Sequence, residues 1–169
     1  MDATRKAVTT PEAAKAQLAD GYKALGELLD NYDKVTEEGG GDGIRRVLGT
    51  VGTTSPVYLI EPAFRLLFEK DESLPMEYIE GVESVMLGLQ LADSEAYSAN
   101  FVRWRRLEPR ACLQHRFLKG ARPCVRVCTQ ITFSSAKGKP EDYFKRAKGQ
   151  IVKAREKWLE LMGLVGVKP

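Results

Sequence analysis

The glycine-rich stretch GGGDGIRRVLGTVGTTSP, residues 39–56, decides how the helices on either side of it are joined. A phosphate-binding loop of the G-x-x-x-x-G-K-[ST] type needs a lysine after its last glycine, and no lysine occurs between Lys34 and Lys70. A dinucleotide loop needs a third glycine and a preceding strand, and this stretch follows a helical pattern instead. We therefore predict a turn that ends one helix and begins the next.

Composition places the chain among ordinary globular proteins. It has 169 residues, 43% hydrophobic and 29% charged, which is most simply one domain, 1–169. The longest uncharged run, Val47 to Ile60, is too short and too polar for a membrane span. No apolar signal core follows Met1, so we expect either no targeting or a targeting segment removed before this numbering begins.

Apolar residues recur at intervals of three and four, which predicts amphipathic helices at about 11–38, 43–70, 75–101 and 140–163. Thr10-Pro11 and Lys139-Pro140 are typical helix starts, and Gly39 to Gly41 are expected to end the first helix. Gly49, Gly52 and Pro56 break the second helix. We predict an all-α, up-down four-helix bundle with a broken second helix and a long loop between the third and fourth helices.

That long loop contains a basic insert, residues 103–131, whose composition differs from the rest of the chain. Residues 103–132 hold eight basic side chains and one acid, whereas the remainder of the chain has 18 basic and 22 acidic residues. Within it, 125–133 is the one run compatible with a short strand, although a lone strand has no partner. The insert is interpreted either as a docking loop or as a retained intron or gene-model error that is translated in frame and has no evolved function.

The insert also holds the only histidine and all three cysteines. Cys112, His115, Cys124 and Cys128 follow a C-x2-H-x8-C-x3-C spacing that could supply zinc ligands. A disulfide between two of the cysteines, or three incidental cysteines, are the other interpretations.

Nucleic-acid binding is a further hypothesis for the insert, because Trp104 lies among Arg103, Arg105 and Arg106. The net acidic remainder of the chain argues against it. Catalysis has little support, since no histidine lies in the predicted helices outside the insert and no Glu-x-x-His pair occurs. We therefore predict no enzyme activity, no cofactor and no nucleic-acid partner.

Two sets of polar residues are candidates for binding a protein partner. Arg45 and Arg46 are adjacent, so either both engage carboxylates or one pairs inside the bundle while the other faces solvent. Loops at helix ends supply the second set, because rigid helices present such loops at the ends of a bundle. The candidates in these loops are Thr53, Thr54, Ser134, Lys137 and Lys139.

Three phrases resemble a known family. They are LLDNYDKVTEEGGGDGIRRVLGTVGTTSP (28–56), AYSANFV (96–102) and TFSSAKGKPEDYFKRA (132–147). They are similar to lumenal four-helix-bundle subunits of photosystem II from diatoms and related red-lineage algae, which are comparable in architecture to PsbQ-type subunits. The resemblance covers nearly the whole chain except 103–131, and in that family the second phrase runs almost directly into the third.

The resemblance implies a non-catalytic extrinsic subunit in the chloroplast thylakoid lumen, peripheral to the membrane. Such a subunit contacts the photosystem core and other extrinsic or antenna subunits, shields the oxygen-evolving metal cluster and helps to retain its ions. A lumenal subunit or antenna linker of photosystem I is the alternative of the same class. A zinc- or nucleic-acid-binding module built on the insert is the alternative of another class.

Overall fold

The described part of the chain is all-helical. A computed structural model describes residues 7–71, 73–114 and 138–168, with side chains except at 103–114. Within these ranges there are five helices and no strand. The helices are α1 (Pro11–Asp30), α2 (Tyr32–Leu48), α3 (Ile60–Lys70), α4 (Met76–Gln114) and α5 (Pro140–Leu164).

Both predicted proline starts are confirmed. The Thr10 hydroxyl accepts a hydrogen bond from the Ala13 amide at 3.3 Å, and Pro11 occupies the first turn of α1. At α5, the Asp142 carboxylate accepts a hydrogen bond from the Lys139 amide at 3.3 Å. These contacts satisfy backbone groups that a helix terminus leaves unpaired.

The predicted first helix, 11–38, is divided by a break at Asn31. The Asn31 side-chain amide and its backbone N–H both donate to the Glu27 carbonyl, at 2.9 and 3.1 Å. The break itself is in the backbone conformation of Asn31, which lies at φ −106° and ψ 20°, although the Val35 amide still donates to the Asn31 carbonyl at 3.0 Å. The helical course then resumes at Tyr32, whose hydroxyl donates to the Phe144 carbonyl of α5 at 2.7 Å.

Gly39 to Gly41 were predicted to end the first helix, but the structure has a kink within α2 at this place. Gly40 has φ 57° and ψ −147° inside α2, so two short helical pieces meet there. The second piece ends at Leu48, where Gly49 adopts the left-handed conformation at φ 77°. The predicted helix 43–70 is thus corrected to this piece and α3, because residues 49–59 between them are not helical.

The predicted third helix was too short. α4 runs to Gln114 and takes in the first twelve residues of the insert, 103–114. No glycine or proline occurs between Gly88 and Pro109, and the arginines and leucine that follow residue 102 favour helix. The composition of the chain changes at residue 103, but the backbone continues as the same helix.

One apolar core joins all five helices. The apolar stripe of α4 is buried throughout and consists of Tyr78, Val82, Val85, Leu89, Ala92 and Ala96. Trp158 of α5 is fully buried, with its ring centre 5.1 Å from that of Phe64. A Cβ atom on Gly81 would lie 2.6 Å from a Leu161 methyl group, and one on Gly88 would lie 3.0 Å from Ala154. These contacts show that α4 and α5 pack closely and run antiparallel.

Gly41 is expected to be intolerant of any side chain. A Cβ atom there would lie 2.0 Å from the Ala96 carbonyl oxygen, so Gly41→Ala must push α2 away from α4. We expect a loss of about 1–3 kcal/mol in the free energy of unfolding, measured by denaturant titration.

Gly39→Ala is the matched control, because nothing lies within 4 Å of its Cβ position. Alanine favours helix over glycine, so we expect a gain of up to about 1 kcal/mol for this variant. Equal stability of the two variants would contradict the close approach at Gly41.

Candidate functional site

The second piece of α2 is attached to α4 by a polar network around Arg45. The Arg45 Nε atom donates to Asp93 Oδ1 at 2.8 Å, and its Nη1 atom donates to Asp42 Oδ1 at 3.3 Å. The Thr50 hydroxyl lies within hydrogen-bonding distance of the same Asp93 oxygen and of the Arg45 carbonyl. With only 19% of its side chain exposed, Arg45 is held as an internal link between two helices.

The environment keeps Arg45 charged. Burial opposes its charged form, but the hydrogen bond and negative charge of Asp93, together with those of Asp42, raise the pKa of Arg45 above its ordinary value. The Tyr97 ring lies on the remaining side, with its centre 4.9 Å from the guanidinium carbon. Arg45 is therefore engaged on several sides within the protein.

Asn100 extends this network to the glycine-rich kink. Its side-chain oxygen accepts a hydrogen bond from the Gly41 amide at 2.8 Å, and its side-chain nitrogen donates to Asp42 Oδ1 at 2.9 Å. The Gly41 amide follows directly after the kink, where a regular helical partner is missing. Asn100 thus supplies from α4 the acceptor that the kinked backbone lacks.

Arg46 lies on a different surface from Arg45. It is exposed, it has no ion pair within the described ranges, and it borders a groove of about 390 Å³ between α1, α2 and the segment 49–59. The floor of the groove includes apolar side chains, among them Leu28, Val47 and Pro56. Thr54 and Glu27 add a hydroxyl and a carboxylate, and the full lining is Ala24, Glu27, Leu28, Asn31, Val35, Arg46, Val47, Thr54, Ser55 and Pro56.

The groove can bind a small apolar segment that carries a carboxylate. An exposed guanidinium forms paired hydrogen bonds to a carboxylate, and a nearby hydroxyl can donate another. The Ser55 hydroxyl is already used, because it donates to the Val47 carbonyl and accepts from the Val57 amide. Those two contacts hold the turn that carries Thr54 against α2.

The structure brings some of the predicted partner-binding residues together and separates others. Arg46 and Thr54 share the groove, while Thr53 is half-buried and does not line it. Lys139 is exposed at the start of α5 and also does not line the groove. Ser134 and Lys137 lie outside the described residues.

The arginine pair follows the second of the two interpretations considered for it. Arg45 pairs inside the helical assembly, and Arg46 is exposed to solvent. Arg45 engages an interhelical acid, Asp93, and Arg46 does not share that contact.

The zinc hypothesis falls on residues whose side chains are not described. Cys112 lies in the last turn of α4, and His115, Cys124 and Cys128 lie outside the described residues, as does the candidate strand 125–133. Across the described ranges, no group of three or more His, Cys, Asp or Glu side chains is placed to hold a metal ion.

Sequence reasoning missed Asp93 and Asn100. They are seven residues apart and so lie on one face of α4, beside the small buried residues Ala92, Ala96 and Ala99. Small alanines allow another helix to approach closely, and polar residues beside them can bond to it. This combination could have indicated a close helix contact with polar groups at its border. Their partners could not have been identified, because residues 41–50 reach them only through the kink at Gly40.

No protein-family model, curated protein or solved structure matches this chain. The resemblance noted from the three phrases therefore stays a prediction, as do the absence of enzyme activity and the lumenal location. None of the helices in 7–71, 73–114 or 138–168 has an apolar stretch that could cross a bilayer.

Asp93 is expected to contribute substantially to stability. Asp93→Ala removes the main partner of a largely buried guanidinium, and we expect a loss of about 1.5–3 kcal/mol in the free energy of unfolding. Glu160→Ala is the control, because it breaks an ion pair with Lys157 that is exposed on both sides and should change stability by less than about 0.5 kcal/mol. Similar losses in the two variants, measured by denaturant titration, would contradict a structural role for the Arg45–Asp93 contact.

Proposed function

We propose that this chain is a non-catalytic extrinsic subunit on the lumenal side of a photosystem, in the first instance photosystem II. It docks through surface charge and helix-end loops and shields the oxygen-evolving region. The resemblance of the three phrases supports the family, and the all-helical fold is compatible with it.

The architecture we propose is an up-down four-helix bundle. α1 with the first piece of α2 forms the first helix, and the second piece of α2 with α3 forms the broken second helix. α4 and α5 are the third and fourth helices. Supporting contacts are the antiparallel packing of α4 on α5 and the approach of Gly41 to Ala96.

The observation that carries the docking proposal is the exposed Arg46 beside Thr54 at the rim of the groove, with no ion pair to any side chain that the structure describes. Its neighbour Arg45 is engaged within the protein, so Arg46 is the arginine of the pair that is available to a partner. A partner segment with an acidic residue next to an apolar one would pair with Arg46 and cover the groove floor. Lys139 at the start of α5 would provide a second, independent charge contact.

Docking of this kind would limit access of bulk water and reductants to the metal cluster and slow the loss of calcium and chloride. The protein would remain in the thylakoid lumen, peripheral to the membrane, in contact with core and other extrinsic or antenna subunits. The role requires only a rigid, well-packed body with a specific binding surface.

The first test is co-migration. Mildly solubilised thylakoid complexes are separated on a gradient, and peptides of this chain are sought in each band by mass spectrometry. We expect them in the photosystem II band. Migration with photosystem I would change the partner, and absence from both bands would overturn the photosystem assignment.

The second test measures rebinding to photosystem II from which extrinsic subunits have been washed. We expect Arg46→Glu to weaken binding by about tenfold or more, because a carboxylate would then face a carboxylate. Lys153→Glu is the matched control, since it makes the same change of net charge at an exposed position of α5 that does not line the groove. Equal binding of the two variants would exclude the groove as the docking surface while leaving the photosystem assignment open.

A further inference from the structure

α4 carries apolar residues on its solvent-facing side as well as on its buried side. Four large side chains are exposed there: Leu87 (56%), Leu91 (42%), Tyr97 (47%) and Phe101 (42%). Between Leu87 and Phe101 the other residues of this side are uncharged, namely Gln90, Ser94 and Ser98. We call these seven residues the α4 outer face; the exposed Glu83, one turn before Leu87, marks its end.

A helix that is apolar on two sides is normally covered on both. From Leu87 to Phe101 the α4 outer face extends over about four helical turns without a charged side chain, whereas ordinary solvent-facing helix surfaces are rich in charge. Tyr97 and Phe101 also pack edge to face, with ring centres 4.7 Å apart, so the surface is an ordered patch. Contiguous apolar patches of this kind mark interaction sites.

The α4 outer face is symmetric about Ser94. Leu91 and Tyr97 lie three residues before and after Ser94, and Leu87 and Phe101 lie seven residues before and after it. In an antiparallel pair of identical helices with a two-fold axis at Ser94, Leu91 lies level with Tyr97 of the other copy. Leu87 then lies level with Phe101 of the other copy, so large apolar groups meet along the whole contact.

Ser94 itself suits the crossing point. Its side chain is small and exposed, so two helices can approach closely there while the larger side chains interdigitate on either side. The Ser98 hydroxyl donates to the Ser94 carbonyl at 2.9 Å, so it is satisfied within its own helix and can be covered without leaving an unpaired donor.

The charges beside the outer face are compatible with self-association. Asp93, one residue before Ser94, pairs with Arg45 at 2.8 Å, and Glu95, one residue after it, pairs with Arg146 at 3.0 Å. At each edge the carboxylate beside Ser94 is therefore paired with an arginine, although Arg45 also pairs with Asp42 and that edge keeps one excess negative charge. Because a two-fold axis places each edge opposite its own copy, these arginines reduce the repulsion between like carboxylates.

We propose that the α4 outer face binds the same face of a second copy of this chain, forming an antiparallel α4 pair that crosses at Ser94. The contact is separate from the groove at Arg46. Self-association and docking on a photosystem can therefore be tested independently of each other.

The first experiment compares two substitutions of equally exposed leucines. Leu91 and Leu159 are both 42% exposed, but Leu159 lies on α5. By sedimentation velocity over a concentration series, we expect the unaltered full chain to reach twice its monomer mass of 18.8 kDa. Leu91→Glu should raise the dissociation constant of the dimer by about tenfold or more, and Leu159→Glu should change that constant by less than about threefold.

If the unaltered chain stays monomeric, the proposal is overturned. Equal effects of Leu91→Glu and Leu159→Glu on dimerisation would overturn it as well. Circular dichroism and thermal melting of each variant verify that it is folded, which is expected because both positions are on the surface.

The second experiment tests the position of the two-fold axis. Ser94→Glu and Ser94→Lys each place like charges opposite one another in a homodimer, and each variant alone should be largely monomeric at low salt. Mixing the two should restore the dimer, because a glutamate then faces a lysine. Failure of the mixture to associate would overturn a contact centred on Ser94.

Discussion

The close approach of α2 to α4 at Gly41 is the constraint on which the other features depend. With the Ala96 carbonyl 2.0 Å from where a Cβ would lie, only glycine permits the two backbones to meet. At this separation Asn100 reaches the kinked backbone, and Arg45 reaches Asp93. The kink at Gly40 makes the approach possible, because it redirects the chain between the two pieces of α2.

The same constraint determines which charges are available at the surface. Since Arg45 faces α4, its neighbour Arg46 lies toward the groove beside Thr54. Asp93 and Asn100 are used inside the network, and Asp93 also forms one edge of the α4 outer face. The protein thus has an apolar groove with Arg46 at its rim on one surface and an uncharged apolar face on another. A partner of the groove would carry a carboxylate, whereas a partner of the face would not need one.

Much of the helical framework could be predicted from the chain alone. The Thr10-Pro11 and Lys139-Pro140 pairs, together with apolar residues at helical spacing, correctly predicted the starts of α1 and α5. Helix ends were predicted less well: the break at Asn31 is a local change of φ and ψ at one residue, and α4 continues past a sharp change in composition. Composition reports on charge and polarity, whereas helix continuation depends on local backbone hydrogen bonds.

Helical periodicity was enough to predict from the sequence that the chain is helical and where its apolar stripes lie, but it left open whether Arg45 and Arg46 both engage carboxylates. The packing of the helices shows which arginine is engaged, that Asp93 and Asn100 are its neighbours in the network, and that Arg46 shares a groove with Thr54. These pairings join residues more than forty positions apart, except for Arg46 and Thr54, which meet across a non-helical segment. Periodicity identifies the face on which a residue lies, but packing determines which faces come into contact.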